Sequence, residues 1–115
     1  MATSRWVAEP AAKYNELMQA AREAKANREA AGRTKSSEQE GLFKQVDKAI
    51  RLLADNPKHP GLHTHEYVSL SNPVRKGEKV FEAHAQNRTP GAYRVFWCYG
   101  PGRDEITIIS ITPHP

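Results

Sequence analysis

Apolar and polar residues alternate with a helical period in the first half of the chain and with a period of two in the second half. From Pro10 to Ala31 the sequence is rich in Ala, Glu, Lys, Arg and Gln, which favour helices. The larger apolar residues of this segment recur at three- and four-residue spacing: Tyr14, Leu17, Met18 and Ala21. This spacing predicts a first helix that packs along one narrow stripe, with little to bury beyond Lys25.

A second helix is predicted from Glu38 to Asp55. Ser37 and Glu40 have the spacing of a capping box, in which each side chain bonds the backbone N–H of the other residue. The apolar residues of this segment form a clear stripe: Leu42, Phe43, Val46, Ile50, Leu53 and Ala54. Asn56 precedes a proline and therefore avoids helical geometry. Two helices joined by a short connector predict an antiparallel hairpin.

Beyond Gly61 the period of two predicts β-strands. Aromatic and β-branched residues are frequent in three segments, residues 79–86, 92–99 and 105–112. The sequences between these segments carry the Gly and Pro residues of tight turns. Residues 62–70 are a further strand candidate, and residues 5–7 form either a short strand or a loose segment.

These elements predict one α+β domain over residues 1–115. We expect an N-terminal antiparallel helical hairpin that packs on one face of a mostly antiparallel sheet of about four strands. Because a sheet in two layers buries one face, the apolar residues of neighbouring strands should point at the helices. Those residues are Phe81, Ala83 and Ala85 on one strand and Tyr93, Val95 and Trp97 on the next. The same register gathers Glu82, His84 and Arg94 on the opposite, exposed face.

Charge and composition indicate which kinds of partner and which cell compartment suit the protein. The net charge is +4, which suits contact with a few phosphates and not the coating of a polyanion. No apolar run approaches the length of a membrane span, and the first residues lack the apolar centre of a signal peptide. Cys98 is the only cysteine, so no internal disulfide can form. We therefore expect a cytoplasmic protein with no membrane partner.

The polar residues of the strand-forming half match the needs of RNA cleavage. That reaction requires a base for the 2′-hydroxyl, positive charge for the phosphate and an acid for the leaving 5′-oxygen. Arg94 is either a phosphate ligand or a structural ion-pair partner of Glu82. Glu82, His84 and His114 are either proton-transfer groups or ordinary surface residues. Basic residues that flank the predicted site are candidates for RNA-backbone contacts: Arg75, Lys76, Lys79 and Arg88.

The sequence indicates neither a metal nor a cofactor. His63 and His65 would share one face of a strand, near His59 and Glu66, but no recognised zinc spacing is present. No phosphate-binding glycine loop or dinucleotide motif occurs. Cys98 is expected to be a small packed residue, because no group near it in the sequence would activate the thiol.

Three segments of the chain resemble the RelE/ParE superfamily of bacterial type II toxins. They are Val80-Phe-Glu-Ala-His84, then Ala92-Tyr-Arg-Val-Phe-Trp97 across a turn, and Ile106-Thr-Ile-Ile-Ser-Ile-Thr-Pro-His114. They are similar to the family's Glu- and Arg-containing strand, its Tyr-Arg-Val strand and its final strand ending in a histidine. The resemblance covers most of the chain, since the helical hairpin before the sheet also fits.

The resemblance implies a ribosome-dependent endoribonuclease that cleaves mRNA without a metal, halts translation and is neutralised by an antitoxin protein. Arg94 matches the family's phosphate-stabilising arginine, Glu82 is a possible base and His114 a possible acid. His84 stands where the family usually has an arginine, and Pro115 stands near a position where catalytic relatives often have a tyrosine. The histidine in place of the family's arginine keeps an alternative open. In it, the protein is a non-catalytic module of the same fold that is either directed at DNA gyrase or inactive. A small nucleic-acid-binding domain without toxicity is a third alternative.

Overall fold

The computed structural model describes residues 3–6, 8–87 and 91–113. Helices and strands follow one another in a simple order along the described residues. The order is β1 (Thr3–Trp6), α1 (Ala8–Ala30), α2 (Glu38–Asp55), a 3₁₀ turn (Pro60–Leu62), β2 (His65–Glu66), β3 (Phe81–His84), β4 (Tyr93–Tyr99) and β5 (Glu105–Pro113). Both predicted helices and the last three predicted strands are present, with β3 shorter than expected.

The strands of the described residues form one sheet in the order β1-β5-β4-β3-β2. β1 runs parallel to β5, and the other neighbouring pairs are antiparallel. The predicted α+β class, with two helices on a mostly antiparallel sheet, is confirmed. The predicted strand over residues 62–70 is wrong for all but β2, because the chain turns at Pro60–Leu62 and His63 adopts a left-handed backbone with φ of 47°.

The α2 helix begins where its capping sequence predicted. The Ser37 hydroxyl accepts a hydrogen bond from the Glu40 backbone N–H at 3.2 Å, and the Glu40 carboxylate accepts one from the Ser37 backbone N–H at 2.7 Å. These bonds satisfy two backbone donors that a helix start leaves open. The buried stripe of α2 consists of Val46, Ala49, Ile50 and Leu53.

The core lies between this stripe and one face of the sheet. Leu17 of α1 and the α2 residues join Ala83, Val95 and Trp97 in one buried cluster. The cluster also includes three isoleucines of β5: Ile106, Ile108 and Ile111. In the β3–β4 pair, Ala83 lies opposite Val95 and Phe81 opposite Trp97. The predicted register, with these apolar residues facing the helices, is confirmed.

The opposite face of the sheet was expected to be exposed, and that prediction is wrong. The ring of Tyr67 packs on that of Phe96 with centroids 4.7 Å apart. Farther along the same connection, Asn72 is buried and donates a hydrogen bond to the Lys79 carbonyl at 3.2 Å. Phe96 and Cys98 are consequently buried. The segment between β2 and β3 covers this face.

The end of α1 is tied to the start of α2 by an ion pair. The Arg28 guanidinium donates to both carboxylate oxygens of Glu40, at 2.7 and 2.9 Å. This contact, together with the hydrogen bond from the Ser37 backbone N–H, lowers the pKa of Glu40 to about 2. It fixes a helix end that has few apolar residues to bury.

The depressed pKa of Glu40 predicts acid-sensitive stability. A carboxyl whose pKa is lower in the folded state stabilises the fold above the unfolded value of 4.5, and this contribution disappears as the pH falls through about 2. Glu40→Gln should therefore be less stable than the wild type at pH 7, and the difference should shrink towards pH 2. Urea unfolding of both proteins at several pH values measures it. Glu16→Gln, which removes the exposed partner of Lys13, is the control and should differ little from the wild type.

Candidate functional site

The buried carboxylate of Glu82 is the centre of a cluster of polar side chains. Glu82 lies on β3 and is 1% exposed. Three cationic or titratable groups approach its Oε1 atom: Nε2 of His65 at 3.1 Å, Nε of Arg94 at 3.5 Å and Nε2 of His84 at 3.9 Å. One carboxylate oxygen therefore joins side chains from three neighbouring strands, and we call these four residues the Glu82 cluster.

Strand register brings these residues together. Glu82 and His84 are two positions apart on β3, so both point away from the helices. His84 lies opposite Arg94 in the antiparallel β3–β4 pair. His65 lies opposite Glu82 in the short β2–β3 pair. The cluster thus depends on two strand pairings, of which the second involves only two residues of β2.

The guanidinium of Arg94 is held rigidly beneath the surface. Its Nη1 donates to the Gln86 carbonyl at 2.6 Å and to the Tyr93 carbonyl at 3.3 Å, while Nε faces Glu82. The side chain is 11% exposed. Arg94 therefore supplies a fixed positive charge just under the surface and has little freedom to reach outward.

Histidine rings form the solvent side of the cluster. The side chain of His65 is 54% exposed and that of His84 is 20% exposed. The His84 ring packs against those of His63 and His65, with centroid separations of 5.4 and 5.7 Å. Molecules that approach the cluster from solvent meet imidazoles before they meet Glu82 or Arg94.

Burial lowers the pKa of His84 below its usual value. Loss of solvation is the main cause, and the positive charge of Arg94 adds to it. The hydrogen bond to Asn87 and the Glu82 charge act in the opposite direction. The net effect favours the neutral imidazole, which carries one lone pair able to accept a proton.

An apolar groove on the helix-facing side of the sheet ends at His63. Its volume is about 500 Å³, and its walls are Phe81, Trp97 and Tyr99 on one side and the segment from Pro57 to Thr64, which includes His63, on the other. Tyr99 is 43% exposed. Aromatic side chains stack on any nucleobase, whatever the nucleic-acid sequence. The aromatic wall of this groove is therefore suited to bind a flat ring.

Three of the four predicted catalytic residues lie close together in the structure. The structure brings Glu82, His84 and Arg94 together, as the register argument expected, but it places Glu82 and Arg94 under the surface. His114 lies outside the described residues. The catalytic roles assigned to these residues stay predictions.

The predicted RNA-binding residues do not join the Glu82 cluster where the structure describes them. Arg75 is exposed and donates to the Pro101 carbonyl at 2.9 Å, beyond the end of β4 that carries Tyr99. Lys76 and Lys79 are exposed in the same connection before β3. Arg94 lies at the other end of β4, paired with His84. Arg88 lies outside the described residues.

Sequence reasoning missed His63 and His65 as members of the same surface as His84. Their two-residue spacing was visible, but it suggested that these two histidines would act together on one strand. In the structure His63 leaves the 3₁₀ turn and His65 pairs with β3. The pairing of β2 with β3 across the long connection has no local sequence signal, so the association of His65 with Glu82 could not be predicted.

Comparisons of the chain with known proteins identify no family. No protein-family model, curated protein or solved structure matches the chain. None of the helices in the described part of the chain is long and apolar enough to cross a membrane. What defines the protein is therefore its α+β fold, together with a cluster of imidazoles, a carboxylate and a guanidinium on the sheet face away from the helices.

Proposed function

We propose that the protein is an RNA-cleaving toxin of the RelE/ParE type that acts on ribosome-bound mRNA in the cytoplasm and is held in check by an antitoxin protein. The observation that carries this proposal is the convergence of Arg94, His65 and His84 on one oxygen of Glu82. RNA cleavage needs a proton acceptor, a proton donor and a positive charge within a few ångströms, and this cluster contains all three. The helical hairpin on an antiparallel sheet also fits the resemblance of the strand sequences.

The burial of each group suggests its role in the reaction. His65 and His84 reach the surface, so they are the groups that exchange protons with RNA. One imidazole accepts the proton of the 2′-hydroxyl as its oxygen bonds to phosphorus, and the other protonates the 5′-oxygen as its bond to phosphorus breaks. The products are a 2′,3′-cyclic phosphate and a 5′-hydroxyl. Arg94 stabilises the added negative charge from beneath, and Glu82 orients the imidazoles instead of meeting the RNA itself.

The apolar groove suggests how the RNA is oriented. It begins at His63, whose ring packs against that of His84. A nucleobase stacked at the His63 end of the groove would lie next to the ring that packs against His84. His114 and Arg88, predicted as acid and RNA-backbone ligand, remain candidates for further contacts with the same strand of RNA. Arg75, Lys76 and Lys79 would meet a ribosomal or RNA surface farther along the sheet.

Replacement of His84 by glutamine tests the reaction. We expect His84→Gln to lower the rate of mRNA cleavage by about 10²-fold or more, because an amide cannot exchange a proton at that position. The measurement is primer extension on mRNA from a purified translation reaction, with analysis of the 3′ ends for the cyclic phosphate. Glu16→Gln is the control, because Glu16 is an exposed residue of α1 that lies outside the Glu82 cluster and outside the groove. Cleavage by His84→Gln at the wild-type rate would refute the role of this imidazole.

One observation favours a non-catalytic alternative. Arg94 already binds the Gln86 and Tyr93 carbonyls and faces Glu82, so its charge serves the fold as well as any substrate. A module of this fold that blocks DNA gyrase would need no free guanidinium. Inhibition of gyrase supercoiling by the purified protein, with no cleavage of ribosome-bound mRNA, would identify this alternative.

A further inference from the structure

Three metal-binding atoms converge in the Glu82 cluster. Nε2 of His65, Nε2 of His84 and a carboxylate oxygen of Glu82 all lie within 4.8 Å of one another. Zinc bonds of about 2.0–2.2 Å in a tetrahedral arrangement place their ligand atoms roughly 3.3 Å apart. The observed separations from Oε1, 3.1 Å for His65 and 3.9 Å for His84, bracket this spacing. To hold one ion, Nε2 of His84 would have to move closer to Oε1 than its 3.9 Å.

The outer nitrogens of both rings are already hydrogen-bonded in the way that metal-binding histidines require. Nδ1 of His84 lies 2.6 Å from Oδ1 of Asn87, and Nδ1 of His65 lies 3.2 Å from the His63 carbonyl. The tautomer in which Nδ1 carries the proton lets each ring donate a hydrogen bond to its oxygen. In the neutral ring, Nε2 then holds a lone pair that points at the carboxylate. Hydrogen bonds of this kind fix the tautomer and orientation of imidazoles that bind metals.

We propose that His65, Glu82 and His84 form a binding site for one divalent transition-metal ion, of which Zn²⁺ best suits the ligands. An imidazole lone pair facing a carboxylate oxygen is unfavourable unless a proton or a cation lies between them, and three such atoms are the usual protein contribution to an open zinc site. Two imidazoles favour zinc, cobalt or nickel over magnesium and calcium, which prefer oxygen ligands. This proposal concerns binding alone. A bound ion would occupy the Nε2 atoms of His65 and His84, so the metal-loaded protein should not cleave RNA by the proton transfers proposed above.

The rest of the cluster sets limits on this site. The exposed side of His65 leaves one side of the ion open to water or another ligand. Arg94 also approaches Oε1, and its positive charge opposes a second cation, so affinity should fall below that of a closed structural zinc site. The ion would join β2 to β3 at a pairing that involves only His65 and Glu66. Zinc should therefore raise the melting temperature of the protein.

Calorimetric titration of the metal-free protein with Zn²⁺ tests the site. We expect one saturable zinc per chain, a rise in melting temperature with zinc and no comparable response to Mg²⁺. His65→Ala should weaken binding by about 10²-fold or more, since it removes one of three ligands. Asn87→Ala removes no ligand but frees the His84 ring, and should weaken binding by about 10- to 100-fold. His59→Asn is the control and should bind zinc as the wild type does, because His59 is not a ligand and asparagine keeps an acceptor for the Gly61 N–H.

The variants also show what would overturn the proposal. Absence of saturable zinc binding by the wild type would end it, as would wild-type affinity in His65→Ala. Loss of binding in His59→Asn would show that zinc sits elsewhere on the surface. If His65→Ala failed to fold, undiminished affinity in Asn87→Ala would still count against the site, because Asn87 is an exposed residue in the turn after β3. None of these measurements uses RNA, so they fail or succeed independently of the proposed cleavage.

Discussion

Replacing Arg94 with alanine should destabilise the fold by about 3–5 kcal/mol and should also abolish the proposed arrest of translation. Arg94 and Glu82 are 9% and 1% exposed, and a buried carboxylate that loses its cationic partner is strongly destabilising. The variant also leaves the Gln86 carbonyl without its 2.6 Å hydrogen bond. Urea unfolding measures the loss of stability, and a cell-free translation assay measures the loss of activity.

A double variant separates these two effects. Glu82→Gln combined with Arg94→Met removes both charges and keeps the side-chain volumes close to the original. Because no unpaired charge is left inside, it should recover much of the stability that Arg94→Ala loses. It should remain inactive, since the positive charge for the phosphate is gone. Arrest of translation by a folded double variant at wild-type potency would contradict the proposed role of Arg94.

Much of the architecture could be predicted because the signals that specify it are local. The Ser37–Glu40 capping box marks the start of α2, and the spacing of its apolar residues marks the buried stripe. The β3–β4 register followed from period-two alternation, since a shift by one residue would have exposed Phe81, Ala83, Val95 and Trp97. The same register predicts that Glu82, His84 and Arg94 share a face of the sheet.

The covering of that face could not be predicted in the same way. The position of residues 67–79 depends on individual long-range contacts, such as Tyr67 on Phe96 and Arg75 on the Pro101 carbonyl. Without those contacts, the sheet face looked exposed and Arg94 looked free to bind phosphate. In the structure Glu82 and Arg94 are buried, and His65 and His84 are the members of the Glu82 cluster that reach solvent.

Trp97→Ala should cost about 3–5 kcal/mol of stability, the usual range for loss of a large buried aromatic side chain. Trp97 is 1% exposed and belongs to the core cluster between α2 and the sheet. Its ring stacks on Phe81 with centroids 5.0 Å apart, so it supports the strand that carries Glu82 and His84. Thermal and urea unfolding measure the effect, with Tyr99→Ala as the matched control from the same strand.

The control distinguishes burial from aromatic contact. Tyr99 meets the Trp97 ring at 4.9 Å but is 43% exposed, so its loss should cost far less. Trp97→Phe sharpens the comparison, because Nε1 of Trp97 is buried without a hydrogen-bond partner among the described residues. Removing that donor relieves an unfavourable burial and partly offsets the smaller ring, so Trp97→Phe should fall well short of the alanine variant. Equal losses for Tyr99→Ala and Trp97→Ala would mean that the core does not lie between α2 and this face of the sheet.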